Sequence, residues 1–532
     1  MRQFWKQLSF RLSFKSKILF LILSFIALLG IFTYVYATRL GNGISPDSVV
    51  YVDAARHILT EHRLFYFSYN IRNRVAPLTN FPPLYPFLLA IFSFSMIDPL
   101  IVARWFNLFL YIGNIVLVYL ILYKTTKGSI WFATLGTLFA LSSVTILEIH
   151  TMVWSEPLFI FISLIGFFLL SEYLDREYKR YLIGSSLVVC LTVMTRYIGI
   201  VNIATGLVGI LYFSKNKISK KISDLLIFAS ITSLPIIIWL LRNKTLTGNS
   251  TNRKLVLHPI GFSQLSDAYH TIFNWFVPEN IKISVSLFLP LIILLFIFIT
   301  IVYSKSPDIS ANKHENSVIS TTPSIMKILL LFIMLYFLFL IISISFIDAY
   351  TPINTRILSP IFISGLILIL WFIHVRISRI SNNAVFSSLG VLLFFVLLLY
   401  LHSGALWVNR THNRGQGYSS IAWSRSELIE RVSSLPGNIT IFTNGPDVIN
   451  ILTGRESFFI PNFENPGTKT KTSNYLTTIN NMKEDLEKND GVIVYFNTID
   501  RTYLPNEENL KELLPLQTIF NEQDGAILVI AK

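Results

Sequence analysis

The sequence predicts a polytopic α-helical membrane protein of about 11 spans, with a small C-terminal α/β domain on the outer side. Composition is the first reason. Hydrophobic residues make up 53 % of the 532 and charged residues 14 %, against roughly 25 % charged in soluble domains. A water-soluble enzyme of this length has no core large enough for so much apolar surface. The second reason is that apolar runs close to 20 residues recur from residue 18 to residue 402. The third is a basic excess that recurs on alternate connections between those runs. The single cysteine, Cys190, sits inside an apolar run and can form no internal disulfide.

The runs lie at 18–37, 100–123, 129–147, 153–174, 181–195, 198–213, 222–241, 284–303, 325–347, 357–374 and 384–402. The first reads as a retained span. Its apolar part is long, and no small-residue cleavage pattern follows it. Arg2, Lys6, Arg11, Lys15 and Lys17 hold the N-terminus in the cytoplasm. Further inner connections carry Lys124 and Lys127, then Arg176, Lys179 and Arg180, then Lys215, Lys217, Lys220 and Lys221. Lys305 and Lys313, and finally Arg376 and Arg379, complete the alternation. The net charge of +14 (44 Lys+Arg less 30 Asp+Glu) is therefore a topology signal, and no nucleic-acid partner is implied.

Segment 83–96 is apolar but short, with Pro83 and Pro86 in its first turn. As a full span it would turn Lys215–Lys221 outward, so it reads as an interfacial or re-entrant helix. The chain thus divides into a membrane domain, 1–408, and an extracytoplasmic domain, 409–532. Outer loops occupy 38–99 and 242–283. In the tail, strand-like 439–443 leads through Gly445-Pro446-Asp447 into a helix to about 453, and strands follow at 491–496 and 526–531. Gly41/Gly43 and Gly415/Gly417 are too isolated to form phosphate loops, and no internal repeat is found.

In the first outer loop Ser45 reads as an N-cap and Pro46 as the first helical residue, which puts Asp47 in the first turn. Tyr51 and Ile58 share its face, whereas Asp53 and Arg56 turn elsewhere. Such an acid can simply complement the helix dipole. At the outer lipid interface, beside a cavity, it can instead act as a general base toward a hydroxyl. Other charges stand at outer helix ends: Glu156 after Trp154-Ser155, Arg196-Tyr197, Arg242-Asn243, and Arg356 after Tyr350-Thr351-Pro352. A single arginine there is explained by snorkelling. Three on separate helices, with few acids, fit an anionic ligand, and guanidinium forks match a phosphate. His150 with Glu148 and Glu156 has loose spacing, and no metal motif or G-x-S-x-G is present, so a structural role for His150 is the simpler one. Phe65, Tyr66, Phe67 and Tyr69 read as interfacial anchors or as sugar-packing rings.

These motifs together resemble the GT-C glycosyltransferases, in the branch holding protein O-mannosyltransferases and bacterial aminoarabinose transferases. The residues that carry the resemblance begin with Pro46-Asp47-Ser48-Val49-Val50-Tyr51, Ala54-Ala55 and Phe81-Pro82-Pro83-Leu84-Tyr85-Pro86. They continue with Ser155-Glu156-Pro157-Leu158-Phe159, Thr195-Arg196-Tyr197-Ile198-Gly199, Arg242-Asn243 and Arg356-Ile357-Leu358-Ser359-Pro360. The resemblance spans residues 18–402. It implies transfer of a sugar from a polyprenyl-phosphate carrier, in the lipid membrane, to an acceptor hydroxyl at the outer face. It also implies Asp47 as the base, with Arg196, Arg242 and Arg356 on the lipid phosphate and Glu156 lining the cavity. Tyr51, Tyr197 and Asn243 complete the expected substrate-binding set. Ser48 stands where that family often has a second acid. Phosphate is already a good leaving group, so the expected chemistry requires no cofactor and no metal. A transporter or flippase of a lipid-linked or anionic solute is the rival from another class, and a non-catalytic assembly partner is a third. The missing inverted repeat and the large outer loops count against the transporter.

Overall fold

A computed structural model describes residues 14–72, 74–93, 97–251, 253, 255–276, 322–349, 351–378, 380 and 383–531. Helix α1 (Phe14–Ala37) is followed by α2 (Pro46–Glu61), the hairpin β1 (Phe65–Phe67) and β2 (Val75–Pro77), and α3 (Leu84–Phe92). The bundle continues through α4 (Pro99–Thr125), α5 (Ile130–Ser142), α6 (Val144–Thr151), α7 (Glu156–Arg176), α8 (Lys179–Thr195), α9 (Ile200–Phe213) and α10 (Ile218–Thr247). Then come α11 (Phe262–Phe276), α12 (Ser324–Phe346), α13 (Thr355–Ile377) and α14 (Asn383–Arg414).

Among the described residues, 7 helices are long and apolar enough to cross a membrane, and the bent pair α5–α6 makes an eighth. The protein is an integral membrane protein. The apolar runs expected at 181–195 and 198–213 form the 17-residue α8 and the equally long helix Tyr197–Phe213. The run at 284–303, with Lys305 and Lys313, lies outside the described residues. Segment 83–96 yields the nine-residue α3, about 14 Å long at 1.5 Å per residue and half the thickness of a bilayer core.

The run expected at 129–147 is not one straight helix. It breaks at Ser143, bends by 55° and runs on to Thr151. The break between α6 and α7 leaves main-chain carbonyls inside the bundle, and two asparagines of α4 take them. Asn107 Nδ2 donates to Met152 O at 2.6 Å, and Asn114 Nδ2 to Pro157 O at 3.0 Å. Asn114 also meets His150 Nε2 at 3.0 Å, while His150 Nδ1 lies 2.7 Å from Ile146 O. His150 is thus a satisfied buried group. An irregular backbone at this depth persists because its polar atoms are paired within the protein. Helix α7 is central, with 78 % of its apolar window buried, and packs against α4, α8, α9, α12 and α13.

Helix α14 continues past residue 408 to Arg414 and ends at Gly415, whose φ of +70° is left-handed. The boundary expected at 408/409 therefore falls inside a helix, because Asn409–Arg414 change polarity without breaking the backbone. Beyond it lie α15 (Ile421–Ser424), α16 (Glu427–Ser434), β3 (Ile441–Thr443), α17 (Pro446–Thr453) and β4 (Phe458–Phe459). The chain then forms α18 (Tyr475–Lys488), β5 (Val492–Phe496), α19 (Glu507–Leu513), β6 (Leu516–Glu522) and β7 (Gly525–Ile530). The sheet order is β4-β3-β5-β7-β6. Strand β3 is parallel to β4 and β5, and β7 is antiparallel to β5 and β6. Strand β5 reads Val-Ile-Val-Tyr-Phe because a central strand covered on both faces needs no alternation. Ile44, Val49, Phe67 and Tyr69 of the first loop join this domain's core.

Candidate active site

The start of α2 is built by its own sequence. Pro46 opens the helix, and the Ser45 backbone N–H donates to Ser48 Oγ at 3.0 Å. Ser48 therefore serves the cap, which is the use this chain makes of the position where an acid was expected. Trp154 Nε1 donates to Ser45 Oγ at 2.8 Å, tying the helix start to the α6–α7 break. Asp47 follows in the first turn.

The chain entering α2 is held on both edges. Gly43 N donates to Thr151 O (2.8 Å) and Val153 N to Gly43 O (2.9 Å). On the other side Tyr418 N donates to Ile44 O (2.9 Å), and Ile44 pairs with Gly417. Two of the glycines dismissed as phosphate loops are needed here. A Cβ on Gly417, whose φ is +51°, would stand 2.1 Å from Ile44 O, and one on Gly43 would stand 2.0 Å from Met152 Sδ.

This scaffold brings four charges together from four elements. Arg356, at the start of α13, donates from Nη2 to Asp47 Oδ2 at 2.7 Å and from Nε to Glu156 Oε1. Arg196, at the end of α8, reaches the same Glu156 oxygen. Trp154 lies under the Arg356 guanidinium, 4.6 Å from its carbon. Glu156 is 1 % exposed, whereas Asp47 keeps 31 % and Arg356 19 % of their side chains open. Glu156 is thus the buried anchor that orients both guanidiniums, and Asp47 is the accessible carboxylate. Tyr51, a turn after Asp47, lies 3.2 Å from Ser155 Oγ. Burial, reinforced by the nearby Asp47 charge, raises its phenol above the usual value and keeps it protonated.

The remaining expected residues take other partners. Arg242 donates to Leu78 O (2.8 Å), Leu64 O (3.3 Å) and Asn243 Oδ1 (3.0 Å), and stacks on Trp239 at 4.7 Å. Asn243 donates to Ser250 O at 3.0 Å. Tyr197 donates to Thr79 O at 2.7 Å and accepts from Trp239 Nε1 at 3.1 Å. Arg242 and Tyr197 fasten the first loop to α10, and Asn243 holds the turn that follows α10. Arg242 is occupied by main-chain carbonyls at the hairpin's ends, of which Leu64 O also accepts from Leu78 N at 2.9 Å.

Two cavities adjoin α13. One, of about 300 Å³, is wholly apolar in its side chains apart from Tyr400 and the Trp275 indole; Phe139, Ile361, Phe362, Leu366, Ile369 and Ile373 are among its walls. The other, of about 280 Å³, is lined by Ser142, Ser143, Thr145, Glu148, Thr271, Thr355 and Arg410 among others. Trp275 and Tyr400 belong to both walls, and Trp275 Nε1 is buried without an acceptor among the described residues. No group of three or more His, Cys, Asp or Glu side chains fit to hold a metal gathers among the described residues.

No family model matches the chain, and no curated protein matches it. Solved structures do. ArnT from Cupriavidus metallidurans bound to undecaprenyl phosphate aligns with a TM-score of 0.54 at 11 % identity, over 95 % of this chain and 97 % of that one. AglB from Archaeoglobus fulgidus, an archaeal oligosaccharyltransferase in complex with an inhibitory peptide and a dolichol-phosphate, aligns at 0.50 and 11 %, over 96 % and 74 %. The mycobacterial arabinofuranosyltransferase AftD aligns at 0.55 and 10 %, over 96 % of this chain and 40 % of its own. The chain has the GT-C fold.

Within that GT-C fold, some contributors were not legible in the sequence. In the sequence Trp154 stands out only as a neighbour of Glu156, and its two contacts depend on chain segments over 100 residues away. Tyr336 was missed entirely; it donates to Ile357 O at 2.8 Å beside Arg356 and sits within electrostatic reach of Arg196. A tyrosine inside an apolar run carries no local signal that separates it from core.

Proposed function

We infer that this protein is a glycosyltransferase that moves a sugar from a polyprenyl-phosphate carrier to an acceptor hydroxyl at the outer membrane face. The observation that carries this reading is the convergence of Asp47 and Glu156 on Arg356, with Arg196 on the same Glu156 oxygen. Asp47 takes the proton of the acceptor hydroxyl as its oxygen attacks the anomeric carbon. The bond from that carbon to the phosphate oxygen breaks, and the electron pair leaves with the carrier phosphate. Arg196 and Arg356 take up that charge. A phosphate at Arg356 competes with Asp47 for Nη2, which frees the carboxylate when the donor is in place. Attack opposite the leaving phosphate inverts the anomeric centre. Arg242 is assigned to shaping the loop rather than to the phosphate.

The apolar cavity suits the prenyl chain. Ile361 to Ile373 runs about 18 Å down α13 from the Arg356 end, which leads a lipid from its phosphate into the bilayer. The basic residues Lys124, Arg176 and Lys215–Lys221 lie at the opposite helix ends, so the positive-inside rule puts Asp47 and residues 409–532 outside and the N-terminus in the cytoplasm. ArnT was crystallised with undecaprenyl phosphate and AglB solved with a dolichol-phosphate, and the arginine pair and the apolar cavity support a carrier of that chemistry here.

The test is incubation of purified protein in liposomes with a panel of polyprenyl-phosphate sugars. Release of polyprenyl phosphate together with a glycosylated product is the expected result. Intact donor crossing the bilayer with no product overturns the transferase in favour of the transporter.

A further inference from the structure

We propose that the C-terminal domain positions Asp47, and that Tyr418 and Gly417 are the positioning residues. The proposal rests on reading Asp47 as the base. It starts from where the two acids hang. Ile44 lies three residues before Asp47, and Val153 lies three before Glu156. Residues 42–44 form the middle rung of a short ladder whose outer rungs are 151–153 and 416–419. Besides the main-chain bonds, Ser419 Oγ donates to Asn42 O (2.7 Å) and Thr151 Oγ1 to Gln416 Oε1 (2.7 Å). Both carboxylates are therefore suspended from one element, and one of its three strands belongs to the segment leading into the C-terminal domain.

That strand is itself anchored. Tyr418 O–H donates to Asp447 Oδ2 at 2.5 Å, and Arg501 Nη2 donates to Asp447 Oδ1 at 2.7 Å. Asp447 is 2 % exposed, and Arg501 stacks on Phe459 at 5.0 Å. Asp447 opens the turn after β3 and Arg501 follows β5, the two neighbouring parallel strands between which the chain reverses its direction of growth across the sheet. Open α/β sheets bind ligands at this place. Here the chain's own Tyr69 and Tyr418 occupy it, and Phe459 N donates to Tyr69 O at 3.1 Å. The crevice is used to grip the loop that carries the base. A ladder so held fixes where Asp47 points without touching substrate.

The experiment compares Gly417→Ala, Tyr418→Phe and, as a control cavity in the same domain's core, Leu510→Ala. The alanine Cβ at 417 would lie 2.1 Å from Ile44 O, so the rungs must part. A shift of about 1 Å in a reacting group lowers turnover by roughly 100-fold. Gly417→Ala is expected to lose about that much kcat with little change in donor KM, and Tyr418→Phe to lose about tenfold in the same manner. Leu510→Ala, at matched loss of melting temperature, keeps the wild-type kcat. Hydrogen exchange of amides 45–52 is the readout independent of activity: faster in both ladder variants, unchanged in Leu510→Ala. Unchanged exchange in Gly417→Ala, or a kcat equal to that of Leu510→Ala, overturns the positioning role. Faster exchange in both ladder variants of a protein whose wild type transfers no sugar would support the ladder and remove the transferase reading on which the role of Asp47 rests.

Discussion

Asp47→Asn separates chemistry from folding. The substitution keeps the shape of the side chain and removes one charge. Asp47 and Arg356 are 31 % and 19 % exposed, so their ion pair is worth at most about 1 kcal/mol after solvent screening. Losing a first-turn acid from α2 costs a further 0.3–1 kcal/mol, roughly. Arg356 keeps its contact to Glu156, so no buried cation is left bare. Total destabilisation is thus about 1–2 kcal/mol. A general base contributes about 10²–10⁴ in rate, or roughly 3–5 kcal/mol of barrier. Turnover should therefore fall by at least about 100-fold while binding of polyprenyl phosphate, measured by displacement of a fluorescent analogue, is retained or tightened. The assay is release of labelled polyprenyl phosphate, with melting temperature measured on the same preparation. A folded variant that transfers sugar within about threefold of wild type would falsify the assignment of the base.

Other residues give different signatures. Glu156→Gln leaves Arg196 facing a neutral amide in a buried site while Arg356 keeps Asp47, which costs about 3–5 kcal/mol; the melting temperature should drop and be partly restored by millimolar phosphate, and an unchanged melting temperature would refute the anchoring role. Arg242→Ala withdraws donors from Leu64 O and Leu78 O, so limited proteolysis should cut faster within 62–80 while affinity for polyprenyl phosphate holds; lost affinity would return Arg242 to the phosphate site. Asp53, in α2 outside the spans, has its carboxyl raised above the usual range by burial, against the Phe67 N–H at 2.6 Å that favours the charged form. A raised folded value means that the folded state holds the proton longer, so stability is lost as pH rises from the unfolded value through the folded one. Melting temperature should accordingly fall in wild type relative to Asp53→Asn across that window, and parallel curves for the two proteins would contradict the burial effect.

The class, most spans and the alternating basic connections were legible because each is a local property. A run of apolar residues needs only its own composition to seek lipid, and Lys or Arg needs only a short loop to set direction. The cap at Ser45-Pro46 and the first-turn place of Asp47 were legible for the same reason. The bend at Ser143 was not, because Tyr111, whose hydroxyl donates to Leu141 O beside it at 2.7 Å, sits on a different helix. Nor was the end of α14 at Gly415, where polar residues continue a helix whose apolar pattern has stopped.

Residue order alone makes this a membrane chain, sets which residues stand at helix ends and puts Asp47 at the opening of α2. Long-range packing adds that Arg196 and Arg356 share Glu156, that Arg242 donates to Leu64 O and Leu78 O, and that Gly43 and Gly417 are rungs beside Asp47. The difference is one of range: burial and capping act over a few residues, whereas the Arg356 ion pairs and the Ile44–Gly417 rung join atoms hundreds of positions apart along the chain.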